Sequence, residues 1–327
     1  MTIDWPKFAE IIHSNDRFLL TSHIRPDCDA LGSELGMAGV LEALGKEVII
    51  VNGQETPPNL AFIDPDQKIK TLGVDVSETD LADVDVLMIL DTSAWAQLGP
   101  MSNVIRSTTA RKIVVDHHVS EDKLEAEPFK DTTAEATGRL VQDAARHLNV
   151  QLTPQIATSL YAAIATDTGW FRFPSVTPGT YQAVAELQDA GANPTKIYAD
   201  LYEQDSIGRV RLRGLILARV QSEMDGRLVH TYVLKEDFER AGALPSDTED
   251  VINMALAIAG TEFAVIVVEQ LSGGCKISFR SRCDVQCNRL AEQFGGGGHK
   301  AAAGAFIQAT QQAAMTQVLD AVRSAMQ

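Results

Sequence analysis

Residues that bind divalent metal ions are concentrated at the ends of apolar runs in this sequence. HIRPDCD contains one group, DVLMILD ends in a second, KIVVDHH ends in a third, and TDTG follows later. The candidate ligands in these motifs are His23, Asp27, Asp29, Asp91, His117 and Asp167. Imidazole nitrogens and carboxylate oxygens in such a mixture suit Mn²⁺, Mg²⁺, Fe²⁺ or Zn²⁺. The motifs therefore predict a divalent-metal site.

Each motif also has an ordinary structural explanation. Asp27 or Asp29 could cap a helix that begins near Ala30. Asp167 could lie in the last turn of a helix that Gly169 ends. Two histidines could follow a strand by chance. The interpretation as a metal site therefore depends on the combination of the motifs, and not on any one of them.

The six candidate ligands are enough for two cations. They offer four carboxylates and two imidazoles, and Asp91 could be shared between the two ions. Two cations about 3.5–4 Å apart activate a water near neutral pH, align it with a phosphorus atom and stabilise the leaving oxygen. The combination therefore predicts hydrolysis of a phosphate ester. Because cations would contact the phosphate, an acidic protein can bind such an anionic substrate.

Apolar runs that precede these motifs predict buried strands. They occupy residues 17–23, 46–52, 85–91 and 112–118, and helical patterns follow at 134–148, 154–165 and 178–190. Strands alternating with helices are typical of an α/β fold with a parallel sheet. Ligands of such sheets bind beyond the carboxyl ends of the strands, which is where the candidate ligands lie.

The rest of the chain predicts a second, smaller α/β domain. An arginine-rich helical pattern at 206–221 precedes strand-like runs at 226–234, 262–270 and 276–281, and a glycine-rich turn follows within 294–306. We predict an N-terminal parallel-sheet domain at 1–190, a helical linker at 191–222 and a C-terminal domain at 223–327. We expect the active site in the cleft between the domains.

Charge and cysteine content exclude several classes of protein. The net charge is −16, from 28 basic and 44 acidic residues, so a broad surface that binds long duplex nucleic acid is not expected. The four cysteines are too few and too irregular for a disulfide framework. No basic and apolar leader and no membrane-spanning run is recognisable. We therefore expect a cytoplasmic protein without membrane contact.

The motifs together resemble those of a known family. HIRPDCDALGS, DTSAWAQLG, VVDHH and ATDTGWFRF, in this order, are similar to the successive motifs of the DHH phosphoesterase superfamily. FRSR and the later GGGGHKAAAG resemble the DHH-associated C-terminal domain, so the resemblance covers nearly the whole chain. The most similar subgroup is the bifunctional oligoribonuclease (nanoRNase) and 3′-phosphoadenosine 5′-phosphate phosphatase type.

The resemblance implies a role for each candidate residue of the N-terminal domain. One Mn²⁺ would be bound by His23, Asp27 and Asp91, and a second by Asp29, Asp91, His117 and Asp167, with Mg²⁺ or Co²⁺ as alternative ions. His118 would hydrogen-bond the scissile phosphate or help to protonate the leaving group. Asp116 would orient a neighbouring histidine.

In the C-terminal domain the resemblance implies a site for the substrate's terminal phosphate or nucleotide. Arg280, His299 and the backbone N–H groups of Gly296, Gly297 and Gly298 would form it, with Arg282 as a weaker candidate. Glycines lack a Cβ atom, so their backbone can approach an anion closely and adopt positive φ. A glycine run by itself could equally be a flexible loop.

The substrates implied by the resemblance are short oligoribonucleotides and small nucleotides. Oligomers of about two to five nucleotides would yield nucleoside 5′-monophosphates, and 3′-phosphoadenosine 5′-phosphate would yield AMP. A linear or cyclic dinucleotide phosphodiesterase, or an inorganic pyrophosphatase, could use the same two metals. An inactive nucleotide-binding sensor would lack ligands, whereas all six are present. The resemblance also suggests a homodimer.

Some positions depart from the pattern that the family leads us to expect. Cys28 stands where glycine is common, and Gln97 where a basic residue is frequent, although neither change removes a ligand. Trp170, Phe171 and Phe173 follow Asp167 and could either stack on a base or pack in the core.

Overall fold

The structure is a computed structural model, and it describes residues 3–119 and 122–327. The chain forms two compact units, Met1–Glu203 and Gln204–Gln327. The division falls within the segment 191–222 that the sequence predicts to be a helical linker. Each unit has its own sheet and its own hydrophobic core.

The first unit contains a six-stranded sheet in which every pair of neighbours is parallel. Its strands are β1 (Arg17–Thr21), β2 (Glu47–Asn52), β3 (Ile69–Thr71), β4 (Val86–Leu90), β5 (Arg111–Asp116) and β6 (Glu127–Lys130). The predicted α/β class and the four predicted strands are confirmed. β3 and β6 were not predicted, because they are short and rich in polar residues or proline.

In the described part of the first unit, eight α-helices cover the two faces of this sheet. They are α1 (Trp5–His13), α2 (Cys28–Ala43), α3 (Trp95–Leu98), α4 (Met101–Ser107), α5 (Thr137–His147), α6 (Pro154–Asp167), α7 (Pro178–Asp189) and α8 (Pro194–Tyr202). One core cluster contains residues of α1, α2, α5 and α6, and the other contains residues of α3 and α4. Since both faces are covered, the central strand β4 is wholly buried and apolar.

The order of the strands places a ligand crevice in a definite position. The order is β3-β2-β1-β4-β5-β6, so the direction in which the chain winds reverses between β1 and β4. Loops that leave the carboxyl ends of these two strands diverge to opposite sides of the sheet. Open α/β sheets bind ligands at this point. The motifs that begin with His23 and Asp91 follow β1 and β4 directly.

Helices α2 and α6 pack closely and run in opposite directions. A Cβ atom at Gly39 would lie 2.5 Å from Ile156 near the start of α6, whereas one at Gly32 would lie 2.5 Å from the Ser159 backbone oxygen and 3.0 Å from Ala163 near its end. The first turn of α2, which carries Asp29, is therefore brought beside the last turn of α6, which ends at Asp167. The glycines thus bring two of the candidate ligands together.

The second unit is built on a mixed six-stranded sheet. Its strands are β7 (Gln221–Glu223), β8 (Leu228–Val233), β9 (Phe263–Glu269), β10 (Cys275–Ser281), β11 (Gly297–Gly298) and β12 (Ala302–Ile307). They lie in the order β11-β12-β10-β9-β8-β7, and only β8 and β9 are parallel. The three strands predicted between residues 226 and 281 are confirmed.

Helices pack on both faces of the second sheet. They are α9 (Ile207–Ala218), α10 (Lys235–Ala241), α11 (Val251–Leu256), α12 (Cys287–Glu292) and α13 (Gln311–Met326). Leu212 and Ile216 of α9 belong to the core of this unit, so this part of the predicted linker packs with the C-terminal sheet. Among the described residues, no helix has the length and apolar character needed to cross a bilayer.

The close approach of α2 and α6 generates a stability prediction. Gly32→Ala should lower the free energy of unfolding by about 1–3 kcal/mol, because the new methyl group would overlap a backbone oxygen that cannot move alone. This loss should occur although alanine is the better helix former. The change is measured by urea denaturation, followed by tryptophan fluorescence, since Trp5, Trp95 and Trp170 all lie in the first unit.

The matched control is Gly214→Ala in the exposed face of α9. No atom of the described residues lies within 4 Å of a Cβ built at Gly214. This change should therefore stabilise its helix by up to about 1 kcal/mol. Unfolding of this variant is measured by circular dichroism. If both variants gained stability, the proposed overlap between α2 and α6 would be contradicted.

Candidate metal centre

The six predicted ligands converge at the carboxyl edge of the first sheet. His23 follows β1, Asp91 follows β4, and His117 follows β5. Asp91 adopts a positive φ of 62°, which aspartate tolerates better than most residues, and its N–H still bonds the Val115 oxygen of β5 at 3.0 Å. The backbone therefore leaves the sheet at Asp91 and turns its side chain into the crevice.

Asp91 lies between two groups of ligand atoms. Its Oδ2 is 3.4 Å from His23 Nε2, and that nitrogen is 3.9 Å from Asp27 Oδ2. Its Oδ1 is 3.6 Å from His117 Nε2, which also lies 3.7 Å from Asp29 and 3.4 Å from Asp167. Each oxygen of one carboxylate thus faces a different histidine, which is the geometry of a bridging ligand.

Both histidines present the same nitrogen to the carboxylates. The Nδ1 atom of His23 is 3.0 Å from the Ile24 oxygen, and that of His117 is 3.2 Å from the Ala134 oxygen. A carbonyl oxygen only accepts, so Nδ1 carries the hydrogen and Nε2 carries the lone pair. His117 Nε2 is buried and has no hydrogen-bond partner among the described residues. A lone pair aimed at three carboxylates fits a bound cation.

Asp27 both caps a helix and faces the cluster. Its Oδ1 accepts the N–H groups of Asp29 and Ala30 at 3.0 and 3.1 Å, which makes it the N-cap of α2. Its other oxygen is the one that faces His23. The capping explanation from the sequence is therefore correct, and it is compatible with a ligand role because the two oxygens act separately.

Asp29 is fixed by the start of another helix. Its carboxylate accepts the N–H groups of Thr137 at 2.8 Å and Gly138 at 2.9 Å, and the Ser33 hydroxyl at 3.2 Å. The two N–H groups belong to the first turn of α5, whose positive end favours a carboxylate. Burial nevertheless raises the pKa of Asp29, against the opposing effects of His117 and these N–H groups.

The buried carboxylates repel one another. Burial, followed by the charges of Asp29 and Asp27, raises the pKa of Asp91 well above its usual value, although the Thr137 hydroxyl donates to it at 2.8 Å. Burial and then Asp29 raise the pKa of Asp167 to about 6. A divalent cation would relieve this repulsion, since it favours the charged form of every carboxylate around it.

His118 and Asp116 form a separate pair beside the cluster. Asp116 Oδ1 lies 2.9 Å from His118 Nδ1 and accepts the His118 backbone N–H at 3.0 Å. The His118 side chain is 45% exposed, whereas that of Asp116 is fully buried. The hydrogen bond with Asp116 raises the pKa of His118. The ring is therefore held at Nδ1, and its other nitrogen is the free end.

Several residues that hold the site were missed by the sequence analysis. They are Ser33, Ser93, Lys130, Thr137 and Gly138. Ser93 could have been found, because it follows Asp91 in the same DTSA motif. Lys130 ends the short strand β6, which no apolar run predicts, so no local pattern indicates it.

Candidate residues of the second unit lie at one end of its sheet. Arg280 of β10 pairs with Ala302 of β12, and Gly298 of β11 pairs with Ala303 on the other side of the same strand. A Cβ at Gly298 would lie 2.7 Å from the Ala302 oxygen, so the close approach of the two strands requires glycine there. This spacing gives the glycine run a structural role as well.

Backbone hydrogen bonds limit what the glycine run can bind. The Gly296 N–H donates to the Ala291 oxygen at 2.9 Å, so this group would have to leave its bond to contact a phosphate. His299 donates its own N–H to the Ala302 oxygen at 2.7 Å, and its side chain is exposed. Gly297 lies between them in β11, opposite Gly304.

Two departures from the family pattern have simple structural consequences. The Cys28 thiol is buried, and burial raises its pKa to about 12, so it is an unreactive space-filling group. Gln97 accepts the Thr92 hydroxyl at 2.6 Å in the loop after β4. Trp170 and Phe171 pack against the core of the first unit, whereas Phe173 is half exposed.

Comparisons with known proteins agree with this arrangement. Residues 17–164 match the model of the DHH family, N-terminal domain, and residues 225–327 match that of the DHHA1 domain. The bifunctional oligoribonuclease and PAP phosphatase NrnA of Thermus thermophilus is 32% identical over 307 residues, which cover 93% of this chain and 88% of the relative. The protein of the same name from Bacillus subtilis is 26% identical over 295 residues, which cover 89% and 90%.

Solved structures give the same result at the level of the fold. An exopolyphosphatase-related protein from Bacteroides fragilis has a TM-score of 0.84 at 26% identity, with 98% of this chain and 94% of that chain covered. The exonuclease RecJ bound to manganese has a TM-score of 0.55 at 14% identity, with 99% and 96% covered, which shows the fold alone. The 32% identity over nearly the full length and the two domain matches show that the chain belongs to the DHH family of phosphoesterases, which are hydrolases of phosphoester bonds.

Proposed function

We propose that this phosphoesterase hydrolyses short oligoribonucleotides to nucleoside 5′-monophosphates, and 3′-phosphoadenosine 5′-phosphate to AMP, with two Mn²⁺ ions. The observation that carries the proposal is the position of Asp91, whose two oxygens face two different histidine-containing groups. The substrate class is supported by the names of the relatives from Thermus thermophilus and Bacillus subtilis. The mixture of imidazole and carboxylate donors is compatible with Mn²⁺ among several divalent ions, and the family resemblance favours Mn²⁺.

The two ligand sets share one carboxylate. His23, Asp27 and Asp91 would hold one ion, and Asp29, His117 and Asp167 would hold a second together with Asp91, whose Oδ1 lies 3.6 Å from His117 Nε2. Two divalent ions supply Lewis-acid activation of a water and neutralise charge on the phosphate oxygens. Asp27 and Asp29 keep their ligand oxygens in place because helix N–H groups bind the same carboxylates.

His118 would act on the substrate itself. Its Nδ1 is held by Asp116, so Nε2 is free to donate a hydrogen bond to a phosphate oxygen or a proton to the leaving oxygen. The raised pKa of His118 favours the protonated ring that either role requires. Burial alone would raise the pKa of Asp116, but hydrogen bonds from His118 and Ser93 and the charge of Lys130 lower it to about 2, so it stays an acceptor.

The second unit would bind the end of the substrate. Arg280 and His299 would supply positive or hydrogen-bonding groups. The N–H groups of Gly296–Gly298 would supply backbone donors, although the Gly296 N–H would first have to leave its bond to the Ala291 oxygen. A site that holds one terminal phosphate would limit the useful length of an oligonucleotide. The net charge of −16 argues against long duplex nucleic acid as a substrate. The homodimer and the cytoplasmic location remain predictions from the sequence.

The profile of substrate length tests the proposal. With Mn²⁺, 5′-phosphorylated RNA of about two nucleotides should be hydrolysed fastest, with slower hydrolysis at five and little at twenty-four, because a fixed end site accommodates few nucleotides. Product nucleotides are separated by chromatography, with EDTA as the control. Hydrolysis of pyrophosphate or a cyclic dinucleotide alone would favour those alternatives, and equal rates on long RNA would exclude the short-substrate proposal.

Asp91→Asn should separate activity from folding. The rate should fall at least about 100-fold, because loss of the shared carboxylate removes several kcal/mol of charge stabilisation. Mn²⁺ binding, measured by calorimetry, should weaken at both sites. Near-normal activity would exclude the shared-ligand geometry.

Asp91→Asn should lower the activity of the metal-loaded enzyme, but it should raise the thermal stability of the metal-free protein. Since the pKa of Asp91 is raised in the folded state, the fold loses stability as the pH rises above the unfolded value of about 4. In EDTA, Asp91→Asn should therefore melt at a higher temperature than the wild type, by a margin that grows as the pH rises above about 4. Asp66→Asn, at an exposed aspartate, is the control and should show no such trend.

His299→Ala should weaken substrate capture without affecting the metal centre. We expect KM for a 5′-phosphorylated dinucleotide to rise about 10-fold, which corresponds to the loss of a hydrogen bond to a charged group. Mn²⁺ affinity should stay unchanged. His13→Ala, at an exposed histidine that ends α1, is the matched control. An unaltered KM in the His299 variant would remove this residue from the binding site.

A further inference from the structure

We propose that Lys130 is a positioning residue for the reaction, which fixes the Asp116 carboxylate and through it the orientation of the His118 ring. The inference rests on the role proposed above for His118. It concerns a residue at the end of β6 that belongs to none of the sequence motifs. The argument depends on which donors occupy each oxygen of Asp116.

One oxygen of Asp116 is occupied by two donors that also contact each other. Lys130 Nζ lies 3.1 Å from Asp116 Oδ2, and the Ser93 hydroxyl donates to the same oxygen at 2.7 Å. Lys130 Nζ also donates to the Ser93 oxygen at 2.6 Å. The three groups form a closed triangle. Rotation of the carboxylate would break both bonds to Oδ2 at once.

The other oxygen is thereby reserved for His118. Oδ1 accepts the His118 backbone N–H at 3.0 Å and faces Nδ1 at 2.9 Å. The His118 side chain is 45% exposed, so packing alone holds its ring weakly. The hydrogen bond to Asp116 is consequently a restraint on the direction in which Nε2 points. A carboxylate free to turn would leave this ring with several orientations.

The fold explains why a lysine can perform this role. β5 and β6 are parallel neighbours, and Asp116 and Lys130 are register partners at their carboxyl ends. The Lys130 side chain is only 10% exposed, which keeps its ammonium group beside the fully buried carboxylate. A buried carboxylate requires a compensating charge as well as hydrogen bonds. Lys130 supplies the charge, and Ser93 supplies the second donor.

The first test compares full-length, Mn²⁺-loaded variants on whichever phosphoester substrate the wild type hydrolyses fastest. Lys130→Met should lower kcat about 10-fold, the usual scale for a partner that orients an active-site group, with KM and Mn²⁺ affinity changed less than twofold. Lys130→Arg keeps the charge and a donor and should recover most of kcat. An unchanged kcat in Lys130→Met would overturn the inference.

Lys46→Met is the matched control. The Lys46 side chain is also 10% exposed, and it pairs with an aspartate, Asp16, at 3.0 Å. Lys46 precedes β2, however, so it lies at the amino ends of the strands, whereas the metal centre lies at their carboxyl ends. This variant should keep the wild-type kcat. A loss equal to that of Lys130→Met would show that removal of any such lysine impairs the enzyme, and it would overturn the specific role.

A double-mutant cycle separates positioning from general damage. In a His118→Ala background, Lys130→Met should have no further effect, because the group on which it acts is gone. A further 10-fold loss in that background would overturn the inference. If Lys130→Met lowers the urea midpoint, the cycle is repeated with Ser93→Ala, which removes the other hydrogen-bond donor to Asp116 Oδ2. The effect of Ser93→Ala on kcat should likewise disappear in the His118→Ala background. If the wild-type enzyme does not hydrolyse short RNA, that result contradicts the proposed function and not the role of Lys130.

Discussion

The mutual repulsion of buried carboxylates is the constraint on which the rest of the first unit depends. Asp29, Asp91 and Asp167 surround one imidazole nitrogen at 3.4–3.7 Å, and each has a raised pKa, first of all because it is buried. Such a group lowers the stability of a metal-free fold. Burial of the apolar parallel sheet and the close packing of α2 on α6 offset this loss.

Helix ends offset part of this repulsion and fix the ligands at the same time. Asp27 caps α2, and Asp29 occupies the start of α5, which has no cap from its own N-cap residue Ala136. Each carboxylate therefore contributes to folding through one set of bonds and remains available to a cation through its other lone pairs. The capping and metal-binding interpretations of the HIRPDCD motif, which look like alternatives in the sequence, are compatible in the structure because they use different oxygens or lone pairs.

What the sequence could predict follows from the range of the interactions involved. Apolar runs that end in polar residues are local patterns. The sequence therefore predicts β1, β2, β4 and β5, and it also predicts the candidate ligands that follow the ends of these strands. Several bonds that hold the site are not local, since Thr137 binds Asp29 across 108 positions and Lys130 binds Ser93 across 37. The choice of Mn²⁺, the roles of individual ligands and the substrate came from the family resemblance, because residue types alone allow several metals and several phosphoesters.

The two adjacent histidines show how neighbouring groups assign different chemistry to one side chain. His117 directs its Nδ1 at a neutral carbonyl oxygen, so Nε2 is the nitrogen that faces three carboxylates, with only 14% of the side chain exposed. His118 gives the same hydrogen to the ionised Asp116, which raises its pKa and favours a proton on both nitrogens. A nitrogen that carries a proton cannot bind a cation, and a nitrogen that binds a cation cannot donate a proton. The acceptor at Nδ1 therefore suits His117 to the proposed role of metal ligand and His118 to the proposed role of hydrogen-bond donor, and the groups that fix Asp116 orient the His118 ring.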